Sequence, residues 1–146
     1  MRDVKERRTI AEPPLIAIRG GLKVDGSNPE PLAFGEGALK LKGGDRINLV
    51  NPFAHPRSPL SDFTAAEYLL KRVIRKLRGP SLWIFAPTMV LHLTPNLPGG
   101  ITQIESRALL ELGKGAGALR VYGWVGTDLT DEEIMALRFP RTGEAF

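Results

Sequence analysis

Three stretches decide the fold: Ala86-Pro87-Thr88-Met89-Val90-Leu91-His92-Leu93, Gly100-Ile101-Thr102-Gln103-Ile104-Glu105 and Leu119-Arg120-Val121-Tyr122-Gly123-Trp124-Val125. The first is a nearly unbroken apolar run, the pattern of a strand covered on both faces. The second opens a helix with a capping box. The Thr102 hydroxyl accepts from the N–H three residues on, and the Glu105 carboxylate reaches back. Helical spacing predicts a buried stripe at Ile101, Ile104, Ala108 and Leu112. Gly113, Gly115 and Gly117 close that helix, and Leu119 to Val125 reads as another strand. Strand, helix, strand predicts parallel pairing through a crossover helix. The fold class is α/β, a small mixed sheet with parallel strands and crossover helices.

A second capping box is expected at Thr64-Ala65-Ala66-Glu67, ahead of apolar residues at Leu69, Leu70, Val73, Ile74 and Leu77. Gly79-Pro80 ends that helix. A third box, Thr130-Asp131-Glu132-Glu133, opens a last helix that runs to about Phe139-Pro140, with acids favourable to its dipole. Leu69, Val73, Ile74, Leu77, Val90, Ile104 and Ala108 are the expected core. Before Ser61 the texture changes to Pro and Gly with short apolar runs. Leu15 to Ile18, Leu32 to Gly35 and Ile47 to Val50 read as short strands, with a turn at Asp25 to Pro29. Pro52, Pro56 and Pro59 make Asn51 to Ser61 an extended loop. No linker divides the two textures, so residues 1–146 read as a single domain.

The chain has 146 residues, 42% of them hydrophobic and 25% charged, enough to bury a core. It contains no cysteine, which removes disulfides and thiolate chemistry. No apolar run approaches the roughly 18 residues of a membrane span, and Met1 to Arg8 resembles no signal sequence. A cytoplasmic location is expected. The net charge of +4 does not by itself call for nucleic acid.

Few residues invite chemistry. No Walker-type loop is present, and no Gly-x-Gly-x-x-Gly follows a strand. Pro98-Gly99-Gly100 leads into a helix N-terminus, so Gly99, Gly100 and Thr102, with Asn96 near in sequence, form a weak candidate anion site. His92 stands mid-strand and His55 in the proline loop. Neither has the surroundings of a general base. Asp131, Glu132 and Glu133 are explained by the helix dipole rather than by a metal. Catalytic residues, cofactor and metal are all expected to be absent. Lys71, Arg72, Arg75, Lys76 and Arg78 form a basic helix face, which reads first as a solvated face. It is also compatible with nucleic acid, an anionic membrane surface or an acidic protein.

The order of motifs resembles one family, the rod-shape-determining bacterial actins, MreB. Ile10-Ala11-Glu12-Pro13-Pro14-Leu15-Ile16-Ala17-Ile18 is similar to its "EPS-V-V-A-I" strand, and Phe34-Gly35-Glu36-Gly37-Ala38 to "VGEEA". Leu60-Ser61-Asp62-Phe63 is similar to the stretch before a helix, and Tyr68 to Lys76 to "MLxYFIRK". Gly100-Ile101-Thr102-Gln103-Ile104-Glu105-Ser106-Arg107-Ala108 resembles "GITxVExRAV", and Gly115-Ala116-Gly117-Ala118-Leu119-Arg120-Val121-Tyr122 resembles "EAGAxxVxLI". The resemblance implies one subdomain of an actin-like, ribonuclease H-like ATPase fold. It also implies a phosphate loop "D-x-G-T" in the first strands, and the residues before Ile10 contain none. Where the family places acids that position the attacking water, this chain has Val125 and Gly126.

The leading expectation is therefore a non-catalytic MreB-like interaction module in cell-shape or division machinery, binding a protein partner or a second copy. Trp124 is its expected anchor, because aromatics dominate such contacts, unless Trp124 is core. The last helix either folds back over the Trp124 region or leaves it open. The runner-up is nucleic-acid binding through the basic helix at 64–78. The third is a small enzyme built around Pro98 to Thr102.

Overall fold

The computed structural model describes residues 1–20, 30–79, 86–93 and 98–146. The turn expected at Asp25 to Pro29, the helix stop at Pro80 and the polar candidate Asn96 lie outside the described residues. An N-terminal hairpin pairs β1 (Arg2–Asp3) with β2 (Arg8–Thr9). A three-stranded antiparallel sheet follows, in which β3 (Ile16–Arg19) lies between β4 (Glu30–Phe34) and β5 (Ile47–Val50). The short helix α1 (Glu36–Lys40) follows β4 and buries Ala38. Ile16 and Ala17, 1% and 0% exposed, are consecutive in β3 and point to opposite faces, so this central strand is covered on both sides at that point.

After α2 (Phe63–Arg78) a second sheet holds β6 (Thr88–Leu93), β7 (Arg120–Val125) and β8 (Glu144–Ala145). β6 and β7 run parallel through the crossover helix α3 (Gln103–Gly115), as the strand–helix–strand order predicts. The parallel expectation fails one unit earlier. β5 and β6, on either side of α2, belong to different sheets, because β5 pairs antiparallel with β3. β8 returns antiparallel to β7, with Trp124 opposite Ala145.

α2 and α3 pack on each other and cover one face of the second sheet. Ala66, Leu109 and Leu112 form the centre, and Phe53, Leu60, Leu91, Leu93 and Phe146 pack around it. α4 (Asp131–Ala136) and the chain after it cover the opposite face, where Phe139 lies against Tyr122 and Trp124 at centroid distances of 6.0 and 5.8 Å.

Several expectations need correcting. α2 is capped by Asp62, whose carboxylate accepts from the Ala65 N–H at 2.9 Å, and not by Thr64. Asp62 is extended and two residues closer to the loop, so Thr64 falls inside the first turn and Glu67 pairs with Lys71 instead. The stripe of α3 is rotated. Leu109 and Leu112 are buried, Ala108 is only half-buried and Ile104 is 82% exposed. Gly113 dictates this orientation: a Cβ there would press on Val121, so α3 must turn its smallest residue to β7. In α2, Leu69 and Leu77 are buried as expected, but Val73 and Ile74 are only half-buried. In β6, Met89 is buried more fully than Val90. Finally, α4 stops at Ala136, with Leu137 left-handed at φ 51°, because the chain must bend to bring Phe139 onto Trp124.

Candidate interaction site

β6 is an edge strand. β7 occupies one side of it, and no strand among the described residues pairs with the other. Alternation along a strand sends successive side chains to opposite faces. Leu91 and Leu93 enter the α2–α3 layer, whereas His92, opposite Trp124, faces the α4 layer. Both layers reach past the open edge. Leu70, Ile74 and Leu77 of α2 form one wall, and Leu129, Ile134 and Leu137 form the other. The result is an apolar slot of about 1510 Å³ with the edge of β6 as its floor. Met135, at its rim, is 67% exposed.

The N-terminal hairpin lies across this slot. Arg2 donates to the Leu129 carbonyl at 3.2 Å and pairs with Asp131 at 3.0 Å on the α4 wall. Arg8 reaches the Leu77 carbonyl of α2 at 3.4 Å on the other wall. The sequence concealed this site. Leu70, Ile74, Ile134 and Leu137 look like ordinary core positions at helical spacing, and only strand pairing reveals an open edge beneath them.

The expected anchor, Trp124, is not at this surface. It is fully buried, its Nε1–H donates to the Thr127 carbonyl at 2.8 Å, and its ring stacks on Phe139. Gly126 and Gly143 press against the indole, where any side chain would collide. The C-terminal segment folds back over the region, so Trp124 is core and not a docking residue.

The basic face is largely internally paired. Lys71 bonds Glu67, Lys76 bonds Glu12, and Arg72 donates to the Tyr68 hydroxyl while its guanidinium sits 5.0 Å above the ring. Arg75 and Arg78 are also engaged. Together with Lys71 they border a smaller hollow near the ends of α2 and α3. Those are helix C-termini, whose negative dipole ends favour these cations.

The candidate anion site already holds an anion. The Thr102 N–H and hydroxyl both donate to the Glu105 carboxylate, at 2.9 and 2.7 Å, and Arg57 adds a bond at 2.9 Å. The hydrogen bonds from Thr102 chiefly, then Ser58 and Arg57, pull the Glu105 carboxyl down from 4.5 to about 2. Gly99 and Gly100 are exposed, with φ of 80° and 71°, and serve the turn into this cap. The Thr130–Glu133 box repeats the geometry, and the Thr130 hydrogen bonds lower the Glu133 carboxyl.

The histidines have local partners. His92 Nε2 lies 2.9 Å from the Gly126 carbonyl, with Asp128 3.7 Å from Nδ1. His55 Nδ1 accepts from the Arg57 and Ser58 N–H groups and shapes the proline loop. Among the described residues, no three His, Asp or Glu side chains gather at a metal-binding spacing. Among them also, no helix is long and apolar enough to cross a membrane.

The MreB/Mbl protein family model matches residues 4–136. The chain belongs to the MreB/Mbl family. The cell shape-determining proteins MreB of Escherichia coli K12 and Salmonella typhimurium LT2 are each 29% identical over 111 residues. That is 76% of this chain and 30% of theirs. The chain therefore spans under a third of the length of these MreB relatives. Among solved structures, MreB5 of Spiroplasma citri bound to ADP matches at TM-score 0.55 and 24% identity, over 75% of this chain and 29% of that one. The same protein bound to AMPPNP matches at 0.54 and 26%, over 75% and 30%. The α/β, actin-like subdomain that the motifs imply is thus the fold of this MreB-family chain.

Proposed function

We propose that this chain is a non-catalytic, cytoplasmic protein-interaction module of the MreB/Mbl family, a single domain serving cell-shape or division machinery. The observation that carries the reading is the apolar slot along β6. A mainly apolar hollow walled on two sides around an open strand edge suits a docking surface. The relatives' name, cell shape-determining protein, supplies the setting. Binding a protein partner or a second copy both fit the reading. The basic helix face of α2 supports nucleic acid or an anionic membrane poorly, because its cations are already paired within the chain.

The solved relatives bind ADP and AMPPNP, so nucleotide is the test. Val125 and Gly126 stand at the end of β7 without a carboxylate to position an attacking water, and the Thr102 donors are occupied by Glu105. Isothermal titration with ATP and magnesium, run beside a phosphate-release assay, should show neither binding nor hydrolysis. Micromolar binding abolished by a substitution within Pro98 to Thr102, or steady phosphate release, would refute the non-catalytic reading.

A further inference from the structure

The slot has a shape, a chemistry and a partial occupant, and together they identify what enters it. Its floor is the outer edge of β6, where alternate N–H and C=O groups point away from β7 and have no strand partner among the described residues. Its walls, Leu70 and Ile74 on one side and Leu129 and Ile134 on the other, stand above that floor on both faces. A second copy of the chain carries its own β6 recessed between identical walls, so two such edges cannot meet. A lone extended segment can reach the floor. Its alternate side chains would fall on the two apolar walls, so both faces of the segment must be apolar.

The rim adds charge. It presents acceptors: the Leu129 carbonyl, the Asp131 carboxylate and the Leu77 carbonyl, one of the last carbonyls of α2 at the negative end of its dipole. In the chain itself Arg2 and Arg8 of the hairpin meet these acceptors, one on each wall. A base-bearing hairpin of the protein thus already lies across the slot, held by one exposed ion pair, of a kind that contributes little individually, and two part-buried hydrogen bonds.

We propose that the β6 slot is a strand acceptor closed by the Met1–Ile10 hairpin as a displaceable strap. Its ligand is an extended peptide segment, apolar on both faces and basic at its ends. The entering strand pairs with β6, and its end charges replace Arg2 and Arg8 at the Asp131 and α2 rims. The strap's closed population lowers the apparent affinity until it is released. This rests on the interaction-module reading and names the partner chemistry of the same surface.

The probe is a seven-residue peptide of alternating valine and isoleucine with an arginine at each end. The control is the same peptide with N-methylated amides, which cannot pair. Hydrogen exchange on the full chain is expected to show alternate amides of Thr88–Leu93 protected by the probe and not by the control, while Met1–Ile10 exchanges faster. Arg2→Ala with Arg8→Ala should tighten probe binding about two- to tenfold by removing the strap. Both arginines are exposed, so the double variant is expected to fold as the parent does. Protection absent from β6 in parent and double variant alike overturns the strand acceptor. Protection of β6 with the hairpin unchanged, or no gain in affinity in the double variant, overturns the strap. A dimer in sedimentation whose β6 amides are protected without any peptide also overturns the proposal, since a second copy would then be the occupant. None of these outcomes touches the non-catalytic reading, which fails only by nucleotide turnover or binding.

Discussion

At the scale of single residues, two side chains carry disproportionate weight. Trp124 has no exposed surface, stacks on Phe139 and donates its one polar hydrogen to Thr127. Trp124→Ala would leave a large cavity between β7 and the folded-back C-terminal segment. It should cost about 3–5 kcal/mol, read as a lower midpoint in urea unfolding. A variant that unfolds with the parent would put the indole back on the surface. Glu105 acts through charge. Its carboxyl, lowered from 4.5 to about 2 by Thr102, Ser58 and Arg57, favours the folded state when ionised. A depressed native value means that this stability is fully present above about pH 4.5 and lost as the pH falls towards 2. Glu105→Gln should therefore be less stable than the parent at neutral pH, with the gap closing across that acid window. A gap that stays constant down to pH 2 would show that the carboxylate is not held as described.

At the scale of elements, α3 is set by what it must avoid as much as by what it buries. Gly113 against Val121 fixes the rotation, and Leu109 and Leu112 then point inward while Ile104 points out. Leu109→Ala should cost about 2–5 kcal/mol by loss of contact and residual cavity. Ile104→Ala should change stability by no more than about 0.5 kcal/mol, as for an exposed site. Thermal unfolding of the two variants side by side tests the orientation, and equal losses would return the helix to the rotation that simple periodicity suggests. The same logic explains α2. Its residues Ala66, Leu69 and Leu77 are buried, while Leu70 and Ile74, which line the slot, stay half-buried.

At the scale of the whole molecule, the last three residues extend the second sheet and tie it to the α2–α3 layer. β8 pairs with β7, the Phe146 N–H and carbonyl bond those of Gly123 at 3.1 and 2.7 Å, and the Phe146 ring joins the Ala66–Leu109–Leu112 cluster. Gly123 has no side chain because that ring lies where a Cβ would stand. Phe146→Ala should destabilise the chain on the order of 1–3 kcal/mol and expose β7 to solvent. Deuterium uptake at Gly123 and Trp124 should rise in step. Unchanged protection there would mean that β8 is not needed to close the sheet on that side. Closure on the β8 side leaves β6 as the open edge among the described residues, and this asymmetry is what sets the proposed docking slot on that side.

Features that depend on near neighbours were legible in the chain of residues alone. The capping boxes at Thr102 and Thr130, the Gly79 stop of α2, the short strands around Ile16, Phe34 and Leu49 and the parallel β6–α3–β7 unit all follow from spacing and local hydrogen bonding, as does the family membership carried by ordered motifs, whereas Gly113 and Gly115, expected to end α3, lie inside it. Tertiary structure alone decided the rest. Whether Asp62 or Thr64 caps α2 depends on where the preceding loop runs. Which face of α3 is buried depends on Gly113 meeting Val121 of the next strand. Trp124 is equally aromatic as core or as anchor until Phe139 folds onto it. The slot belongs wholly to this second class. An edge strand and its walls read as core in sequence, because burial is a property of what pairs across space, and the side of β6 left unpaired is written in no single segment.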